Sequence, residues 1–307
     1  MSGERAVALA TCSEHPDGYP DDLLVVEPLS DLGIDTTFVT WDDASVDWNA
    51  FDVVVLRSTW DYPPRRDEFL RWIDRVAGLT TLANPAGAVR WSSDKRYLTH
   101  LERMGAPVVP TTFVDPDASA ETLASAIRGT VSSAERFVVK PSVGAGSVDA
   151  GRFESGDVSA VEQAIKHATT LLERGRRVMV QPYLDAIDSA GETALVYIGG
   201  EFSHAIRKEP LLAGGPVSFD GLFAEETTSA TTATDAQLDA AASVLGAMPF
   251  DRAELLYARV DLLPDAAGDP LLLELELVEP SLFMAEAPGA ALRFAHAMAA
   301  VAGRPTT

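Results

Sequence analysis

Residues 257–263 read YARVDLL and residues 271–280 read LLLELELVEP, two strand-like segments separated by an Asp/Gly/Pro-containing turn. Side chains alternate between the two faces of a strand, so Glu274 and Glu276 share one face and leucines occupy the other. Asp261 lies on the preceding strand. Three carboxylates from neighbouring strands would repel one another unless a cation lay between them, and Mg²⁺, which prefers hard oxygen ligands and also binds phosphates, suits such a group.

The same acidic face has a simpler interpretation as the solvated side of a sheet whose other side is covered by leucines. Cationic residues near these carboxylates favour the interpretation as a magnesium and phosphate site. Arg259 precedes Asp261 by two residues and shares its face, and Arg207 and Lys208 end another predicted strand, EFSHAIRK. Such cations could neutralise a triphosphate and a developing acyl phosphate, although each alone could equally pair with a surface carboxylate.

A second informative stretch is RFVVK, residues 136–140, which runs directly into the Gly/Ser loop SVGAGS at residues 142–147. An apolar strand cannot cheaply bury the ammonium group of Lys140, so this group must reach a cleft or the surface. The loop offers backbone amides and hydroxyls without bulky side chains, a composition that lets amides approach phosphate oxygens. Lys95, in SSDKRYL, is a further candidate, on a predicted helix that Ser92 or Asp94 could cap.

Two familiar nucleotide-binding motifs do not fit this loop. The chain contains no G-x-x-x-x-G-K-[ST] sequence, which excludes a P-loop protein. Gly144 and Gly146 begin a G-x-G, but Asp149 occupies the third glycine position, and the strand-like stretch AGRF follows where a dinucleotide-binding fold would place a helix.

The first 95 or so residues alternate strands with helices, the pattern of a parallel α/β sheet. Predicted strands are Arg5–Thr11, Thr36–Thr40 and Phe51–Arg57, and predicted helices are Asp21–Leu32, ending at Gly33, and Asp67–Val76. Beyond these lie predicted helices Ser92–Met104, Val158–Leu172, Asp235–Met248 and Leu282–Ala302, a strand Arg177–Gln181, and a hairpin of TALVYIGG and EFSHAIRK turning at Gly199–Gly200. The later strands predict antiparallel sheets, and Thr227–Thr234 (TTSATTAT) is predicted to be a mobile loop.

Composition limits the class of protein. The 307 residues include 24 Lys and Arg against 46 Asp and Glu, a formal net charge of −22, so the chain should repel nucleic-acid backbones. Cys12 is the sole cysteine, which rules out an intrachain disulfide and favours a buried strand-end thiol over a nucleophile. The sequence contains neither a signal-peptide pattern nor a long apolar run, so we expect a cytoplasmic protein with no membrane partner.

The segment RSTWDY, residues 57–62, follows a buried strand. Open α/β sheets place ligands at the carboxyl ends of their strands, so Arg57, Ser58, Thr59 and Asp61 are candidate substrate-binding residues, with Arg57 suited to a substrate carboxylate. The alternative is that this segment simply packs the domain interface.

Taken together, these motifs resemble the ATP-grasp superfamily over nearly the whole chain. The resemblance depends on the order and spacing of four stretches: FVVKPSVGAGS, VMVQPYLDAI, GETALVYIGGEFSHAIRK and ARVDLL with LELELVEPS. RSTWDY, the NP and RWSSDK stretch, GEFSHAIRK and ELELVEPSLF are similar to a branch of that superfamily, that of the cyclo-ligase of D-cycloserine biosynthesis, an O-ureidoserine cyclo-ligase.

The resemblance implies specific roles for residues. Lys95 and Lys140 would contact nucleotide phosphates, the loop from Ser142 through Gly144 and Gly146 to Ser147 would cover them, and Asp261, Glu274 and Glu276 would bind Mg²⁺. Many relatives carry Asn in a Glu-x-Asn pattern where this chain has Glu276, which leaves open how Glu274, Glu276 and Glu279 share the metal. At the hinge, nucleotide would be bound by Gln181, Tyr183 and Leu184, and Glu192 is preferred over Asp188 for binding the ribose hydroxyls. The catalytic cations would be Arg259, Lys208 and Arg207.

The implied fold combines α/β and α+β parts: an N-terminal parallel α/β domain (1–95), a central lid subdomain (96–182) and a C-terminal subdomain with the metal site (183–307), the last two clamping ATP. The implied activity is an ATP- and Mg²⁺-dependent ligase that phosphorylates a substrate carbonyl or carboxylate and couples it to a nitrogen nucleophile. In the cyclo-ligase form of this activity, both groups belong to one small amino-acid derivative. Alternatives are a ligase that modifies a peptide or protein tail and a non-catalytic nucleotide-binding module. A homo-oligomer is possible.

Overall fold

Residues 5–210, 215–216 and 227–303 are described by a computed structural model of the chain. Four parallel strands form the first sheet, in the order β2-β1-β3-β4, which confirms the predicted parallel sheet. Its elements are β1 (Arg5–Thr11), α1 (Pro20–Leu23), α2 (Val26–Asp31), β2 (Ile34–Thr40), β3 (Val53–Leu56), α3 (Arg66–Ala77) and β4 (Thr81–Ala83). Every residue of β3 is buried, and α3 packs its apolar stripe on the sheet.

The prediction of one helix over residues 21–32 was wrong, because the structure has two short helices there. Pro28 is the third residue of α2, where a missing backbone N–H is tolerated since first-turn amides have no intrahelical partner. A proline at that position therefore favours a new helix start at residue 26. The segment does end at Gly33, whose φ of +71° is in the left-handed region.

The predicted helix over residues 92–104 is also interrupted, between α4 (Ala86–Ser92) and α5 (Tyr97–Arg103). The amide of Lys95 donates to the carbonyl of Ser142 at 2.8 Å, and the Asp94 side chain accepts from the amide of Arg96 at 3.1 Å. Lys95 therefore lies in a turn that is fixed to the Gly/Ser loop, a contact between residues 47 positions apart that periodicity does not reveal.

The second sheet is antiparallel, in the order β11-β7-β6-β8-β5. Its strands are β5 (Thr112–Val114), β6 (Arg136–Pro141), β7 (Gly151–Glu154), β8 (Val178–Pro182) and β11 (Gly215–Pro216), and α6 (Ala120–Val131) and α7 (Val158–Glu173) pack on it. The sequence had indicated neither β5 nor α6. Their buried residues, among them Val114, Leu123 and Ile127, join Phe137 and Val139 in one apolar cluster.

The third sheet is antiparallel as well, in the order β12-β10-β9-β13-β14. It comprises β9 (Glu192–Ile198), β10 (Glu201–Lys208), β12 (Thr228–Thr231), β13 (Tyr257–Pro264) and β14 (Pro270–Glu276), accompanied by α8 (Ile187–Ala190), α9 (Asp235–Gly246) and α10 (Ala290–Ala302). The predicted hairpin between β9 and β10 is confirmed, with Gly199 and Gly200 at φ +59° and +82°.

Two expectations for this part of the chain were wrong. The segment 227–234 is not a loop: its backbone pairs with β10 as β12, and Thr234 then caps α9 through a capping box with Gln237. The last helix begins at residue 290 instead of 282, because residues 282–289 form a short 3₁₀ turn and a bend at Pro288–Gly289.

The three sheets meet around shared apolar clusters. α10 lies between the first and third sheets, where Phe294 and Met298 contact residues of both. α4 and α5 join a cluster with the back of the third sheet, and the chain at Val108 bridges to Leu272 of β14. Each predicted domain contains most of one sheet. The exception is β11, which belongs to the third predicted domain but pairs within the second sheet. The domain limits 1–95, 96–182 and 183–307 stay predictions.

Within the described ranges, no helix combines the length and apolar composition that crossing a bilayer demands.

Asn84 ties the first sheet to the third. Its side chain is fully buried, donates to the carbonyls of Tyr257 and Leu277 at 2.8 Å each, and accepts from the amide of Leu256 at 2.7 Å. Since each buried group left without a partner costs about 1–3 kcal/mol, we expect Asn84→Ala to destabilise the chain by roughly 3 kcal/mol or more. Thermal unfolding of this variant beside Asn49→Ala, an exposed control, measures the effect; equal midpoints would contradict the structural role of Asn84.

Candidate active site

A cleft of about 510 Å³ opens between the second and third sheets and extends to loops of the first. Most of the predicted site residues contribute to its wall: Lys95, Lys140, Gly144, Gly146, Ser147, Gln181, Tyr183, Leu184, Glu192, Lys208, Arg259, Asp261, Glu274 and Glu276. Ser142, Arg207, Arg57, Ser58, Thr59 and Asp61 are not part of this wall. Side chains from segments more than 150 residues apart thus face one space.

Pairing of β13 with β14 sets the acidic part of the cleft. Asp261 lies opposite Glu274 and Arg259 lies opposite Glu276 in the antiparallel register. Asp261 and Arg259 are almost fully buried, at 2% and 5% exposed, and both guanidinium N–H groups that face Asp261 donate to its carboxylate at 2.8 Å. Arg259 also contacts Glu276, so this arginine is held between two carboxylates.

Lysines from two other elements reach the same carboxylates. Lys140, at the end of β6, donates to Glu274 at 2.8 Å, and Lys95 lies 3.5 Å from the other oxygen of that carboxylate. Lys208, at the end of β10, lies 3.7 Å from Asp261 and donates to Glu192 at 2.7 Å. The two lysines predicted to bind phosphates therefore both contact Glu274, one of the three carboxylates predicted to bind metal, and Lys208 and Arg259 contact Asp261.

The carboxyl groups titrate very differently. Burial alone would raise the pKa of Glu274, but Lys140 and Lys95 lower it to about 2. Burial, with Asp261 and Glu274 nearby, raises the pKa of Glu276 to about 7 against the opposing charge of Arg259. Burial, with Glu276 nearby, raises the pKa of Glu279 to about 8 against the opposing charge of Lys95. This part of the cleft has more acidic groups than its cations can neutralise.

The donor set fits a magnesium ion. Asp261 and Glu274 are hard oxygen donors at opposed positions of two strands, and a bound cation would relieve the negative charge that helps to raise the pKa of Glu276. Among the described residues no three such side chains are already gathered at metal-ligand spacing, because each carboxylate is turned to a Lys or Arg partner. Metal binding therefore requires these ion pairs to rearrange, and the metal assignment stays a prediction.

The Gly/Ser loop lies over the lysines. The Lys95 ammonium donates to the carbonyl of Gly144 at 2.8 Å, so the loop and the phosphate-binding candidates are physically joined. Gly146, Ser147 and Asp149 all have positive φ, a local backbone suited to presenting amides inward. Ser142 is buried at the base of the loop, where its amide donates to the carbonyl of Arg177, and it supports the loop from behind.

At the opposite end of the second sheet, the predicted hinge residues form the narrow wall of the cleft. Gln181 is held by a bond to the hydroxyl of Thr111 at 2.8 Å. The ring of Tyr183 is covered by the guanidinium groups of Arg136 and Arg152, at 4.7 and 5.0 Å from its centroid. Residues 181–184 all line the cleft, and their contact with the adenine edge stays a prediction.

The predicted substrate residues are engaged by the protein itself. Arg57 is 3% exposed, pairs with Asp22 at 2.8 Å and donates to the carbonyl of Pro280 at 3.3 Å. Ser58 also bonds to Asp22, and Asp61 accepts from Trp41 at 2.7 Å. Arg57, Ser58 and Asp61 thus bond within the protein, as the packing alternative expects, whereas Trp60 and Tyr62 of the same segment line the cleft, and the substrate-binding role stays a prediction. Arg207 bonds to the carbonyl of Ala190 at 2.7 Å, outside the cleft.

Sequence reasoning missed several side chains of the wall: Tyr19, Asp21, Tyr62 and Phe283. Tyr19 and Asp21 follow β1, so the rule that ligands gather at the carboxyl ends of parallel strands could have indicated them. Phe283 has φ +50°, a strained conformation for an aromatic residue, and its ring lies 5.4 Å from the guanidinium group of Arg259. No pattern in the sequence signals that conformation.

Comparison with known proteins now identifies the family. Residues 7–84 match the family model described as the N-terminal domain of D-cycloserine synthetase DcsG. The cycloserine biosynthesis protein DcsG of Streptomyces lavendulae is 38% identical over 281 residues, which cover 90% of this chain and 91% of that protein. This chain belongs to the D-cycloserine synthetase branch of the ATP-grasp superfamily.

Solved structures agree with that membership. The crystal structure of D-cycloserine synthetase DcsG superposes with a TM-score of 0.85 at 37% identity, covering 97% of this chain and 99% of that one. The VanG D-Ala:D-Ser ligase of Enterococcus faecalis gives a TM-score of 0.69 at 12% identity over 97% and 99% of the two chains, a likeness of fold. The ATP-grasp resemblance and fold class are confirmed, and the chain is a ligase enzyme.

The pairing of Glu274 with two lysines predicts how stability depends on pH. The pKa of Glu274 lies at about 2 in the folded chain, below its ordinary value of 4.5, so its charge stabilises the fold above pH 4.5 and this contribution is lost as the pH falls toward 2. We expect Glu274→Gln to be less stable than the native chain near pH 6, with a gap that narrows toward about pH 3.

Denaturant midpoints across this pH range, with the exposed variant Glu162→Gln as control, measure the gap. A constant difference between the native chain and Glu274→Gln would contradict the ion pairs.

Proposed function

We propose that this ATP-grasp ligase uses ATP and Mg²⁺ to close a ring within a small amino-acid derivative, with O-ureidoserine as the candidate substrate. The observation that carries the proposal is the meeting of Lys95 and Lys140 with Glu274 and Asp261 in one cleft. Membership of a branch whose relatives are named for cycloserine biosynthesis supports the substrate. A cavity of about 510 Å³ is in the size range of small-molecule sites.

The reaction begins with attack of the substrate carboxylate oxygen on the γ-phosphorus of ATP, which yields an acyl phosphate and ADP. The nitrogen attached to the side-chain oxygen then attacks the acyl carbon. A C–N bond forms, inorganic phosphate leaves with the former carboxylate oxygen, and the nitrogen releases its proton. The product is a five-membered ring whose nitrogen still carries the carbamoyl group.

Protein side chains supply position and charge for this sequence. Lys95 and Lys140 release Glu274 and bind phosphate oxygens instead, and Lys208 and Arg259 offset the charge that develops on the transferring phosphoryl group. Asp261 and Glu274 hold Mg²⁺, with Glu276 beside them, and the bound ion supplies further charge neutralisation at the phosphates. Gln181, Tyr183, Leu184 and Glu192 orient the nucleoside end.

Water must be kept from the acyl phosphate, which would otherwise hydrolyse. The loop from Gly144 to Ser147 lies over the lysines and is joined to Lys95 through the Gly144 carbonyl. Once Lys95 turns to a phosphate, the loop is released to close over the nucleotide and exclude solvent. We also propose that the enzyme works in the cytoplasm, where ATP is available and the buried Cys12 thiol, with a pKa raised to about 11, stays reduced.

The direct test is incubation of the enzyme with ATP, Mg²⁺ and O-ureidoserine, with detection of ADP and the cyclic product by mass spectrometry. ADP formed without a cyclic product would favour another acceptor, and substrate-independent ADP release would indicate uncoupled ATP hydrolysis.

Lys140→Ala should raise the KM for ATP. A charge-assisted contact contributes about 1.5–3 kcal/mol and 1.4 kcal/mol is tenfold in affinity, so an increase of roughly ten- to hundredfold is expected. Steady-state kinetics measure it, with Lys166→Ala, an exposed lysine on α7, as the matched control. An unchanged KM for ATP would remove Lys140 from the phosphate site.

Asp261→Asn should abolish most turnover while the chain stays folded. Metal and cation neutralisation of the phosphates is worth several kcal/mol in the transition state, so we expect kcat to fall by about a hundredfold or more. Circular dichroism checks the fold, and Asp239→Asn, exposed on α9, is the control. Turnover close to that of the native enzyme would exclude Asp261 as a ligand.

A further inference from the structure

The end of the cleft nearest the first sheet is walled by aromatic and acidic side chains that the phosphoryl chemistry leaves without a role. Tyr19 and Trp60 both line it, with ring centroids 4.8 Å apart in an edge-to-face arrangement. His15 packs behind both rings, at 5.4 and 5.6 Å. Trp60 is anchored by its indole N–H, which donates to the carbonyl of Glu279 at 2.9 Å.

Asp21 lies in the same wall and has an incomplete set of hydrogen bonds. Its Oδ1 atom accepts from the amide of Ala285 at 3.2 Å. Its Oδ2 atom is shielded from solvent and makes no hydrogen bond of normal geometry with the residues that the structure describes, although the nearby backbone of Met284 lowers the pKa of the carboxyl group. A shielded carboxylate oxygen without a donor is costly, and such groups in a native cleft point to a missing partner.

The nearest cation is already committed elsewhere. Arg57 is bound to Asp22, which neutralises its charge and leaves Asp21 without an ion pair to any residue that the structure describes. Burial raises the pKa of Asp21, and Arg57 offsets this only through space. Glu279 and Glu286 are further acidic residues of the cleft wall, whereas Lys95 and Lys140 are gathered around Glu274.

Asp21 is also coupled to the phosphoryl site by a short segment of chain. Ala285, its hydrogen-bond donor, follows Phe283, whose ring lies 5.4 Å from the guanidinium group of Arg259. Arg259 in turn donates to the carbonyl of Ser281 at 3.1 Å. The segment 281–285 therefore runs from Arg259 to Asp21, and both residues line the same cleft.

We propose that Asp21 binds the ammonium group of the amino-acid substrate, in a subsite walled by Tyr19 and Trp60, and so directs the substrate carboxylate toward the lysines. The inference rests on the proposed function in taking the substrate to be a small amino-acid derivative. An ammonium ion supplies the N–H donor that Oδ2 lacks and the positive charge that this end of the cleft lacks. Aromatic faces beside it add attraction for a cation.

The polarity of the cleft then fixes the orientation of the substrate. A zwitterion that places its ammonium group at Asp21 presents its carboxylate toward Lys95 and Lys140, where the γ-phosphoryl group must be. A compound without the amine, or with an acylated amine, loses this orientation. Asp21 is thus a specificity-determining residue for free amino acids.

The test compares two ligands and two variants by calorimetry, in the presence of Mg²⁺ and a non-hydrolysable ATP analogue. The ligands are O-ureidoserine and its desamino analogue, 3-(ureidooxy)propanoate. For Asp21→Asn, which keeps the acceptor for Ala285, we expect the affinity for O-ureidoserine to fall roughly tenfold or more and that for the analogue to stay unchanged. Asp17→Asn, an exposed carboxylate nearby, should bind both ligands as the native enzyme does.

Equal losses of affinity for both ligands in Asp21→Asn would assign Asp21 a structural role and overturn the proposal. Unchanged binding of O-ureidoserine to Asp21→Asn would also overturn it, as would a native enzyme that does not bind O-ureidoserine. The amine subsite and the proposed ring-closing activity can each fail without the other. Amine-dependent binding that requires Asp21, without any cyclic product, would refute only the ring-closing activity. Product formation with an unaffected Asp21→Asn variant would refute only the amine subsite.

Discussion

The ion pairs between Lys95, Lys140 and Glu274 are the interaction on which the rest of the site depends. They join a turn after the first sheet, a strand of the second and a strand of the third, so all three parts of the chain converge on one carboxylate. Buried charges are tolerated only when they are paired. The lysines predicted to bind phosphates and a carboxylate predicted to bind metal thus neutralise one another, and on the proposed function an exchange of these partners would prepare the cleft for Mg²⁺ and ATP.

A second constraint positions the first sheet over this cleft. Asn84 bonds to the backbones of β13 and of the segment that follows β14, and Tyr257 donates to the carbonyls of Leu56 and Val278 at 2.8 Å. Arg57, predicted from its place at a strand end to hold substrate, belongs to the same interface through Asp22 and Pro280. These buried polar contacts fix the loop after β1 against the segment 281–285, which brings Asp21 near the phosphoryl site.

Much of the architecture followed from local patterns. The alternation of buried strands and helices predicted the parallel sheet, and the Gly199–Gly200 turn predicted the hairpin of β9 and β10. Errors arose where a distant partner overrode local propensity. Lys95 left its predicted helix because its amide bonds to Ser142, and residues 228–231 became a strand because β10 offers an unpaired edge. The helix α6 has a clear apolar stripe, but the surface that this stripe covers belongs to the second sheet and is not visible in the local pattern.

The sequence by itself determined the family, the periodic elements and the kinds of group in the site, because strand alternation places Glu274 with Glu276 and a lysine that ends an apolar strand must emerge from it. Tertiary structure alone decided which charged side chains meet, that Arg57 binds Asp22 and the Pro280 carbonyl within the protein, and that one carboxylate oxygen of Asp21 makes no hydrogen bond to the described residues. The reason is physical: pairing and burial depend on distances between segments more than 100 residues apart, as between Lys140 and Glu274. Periodicity reports only the face on which a residue lies.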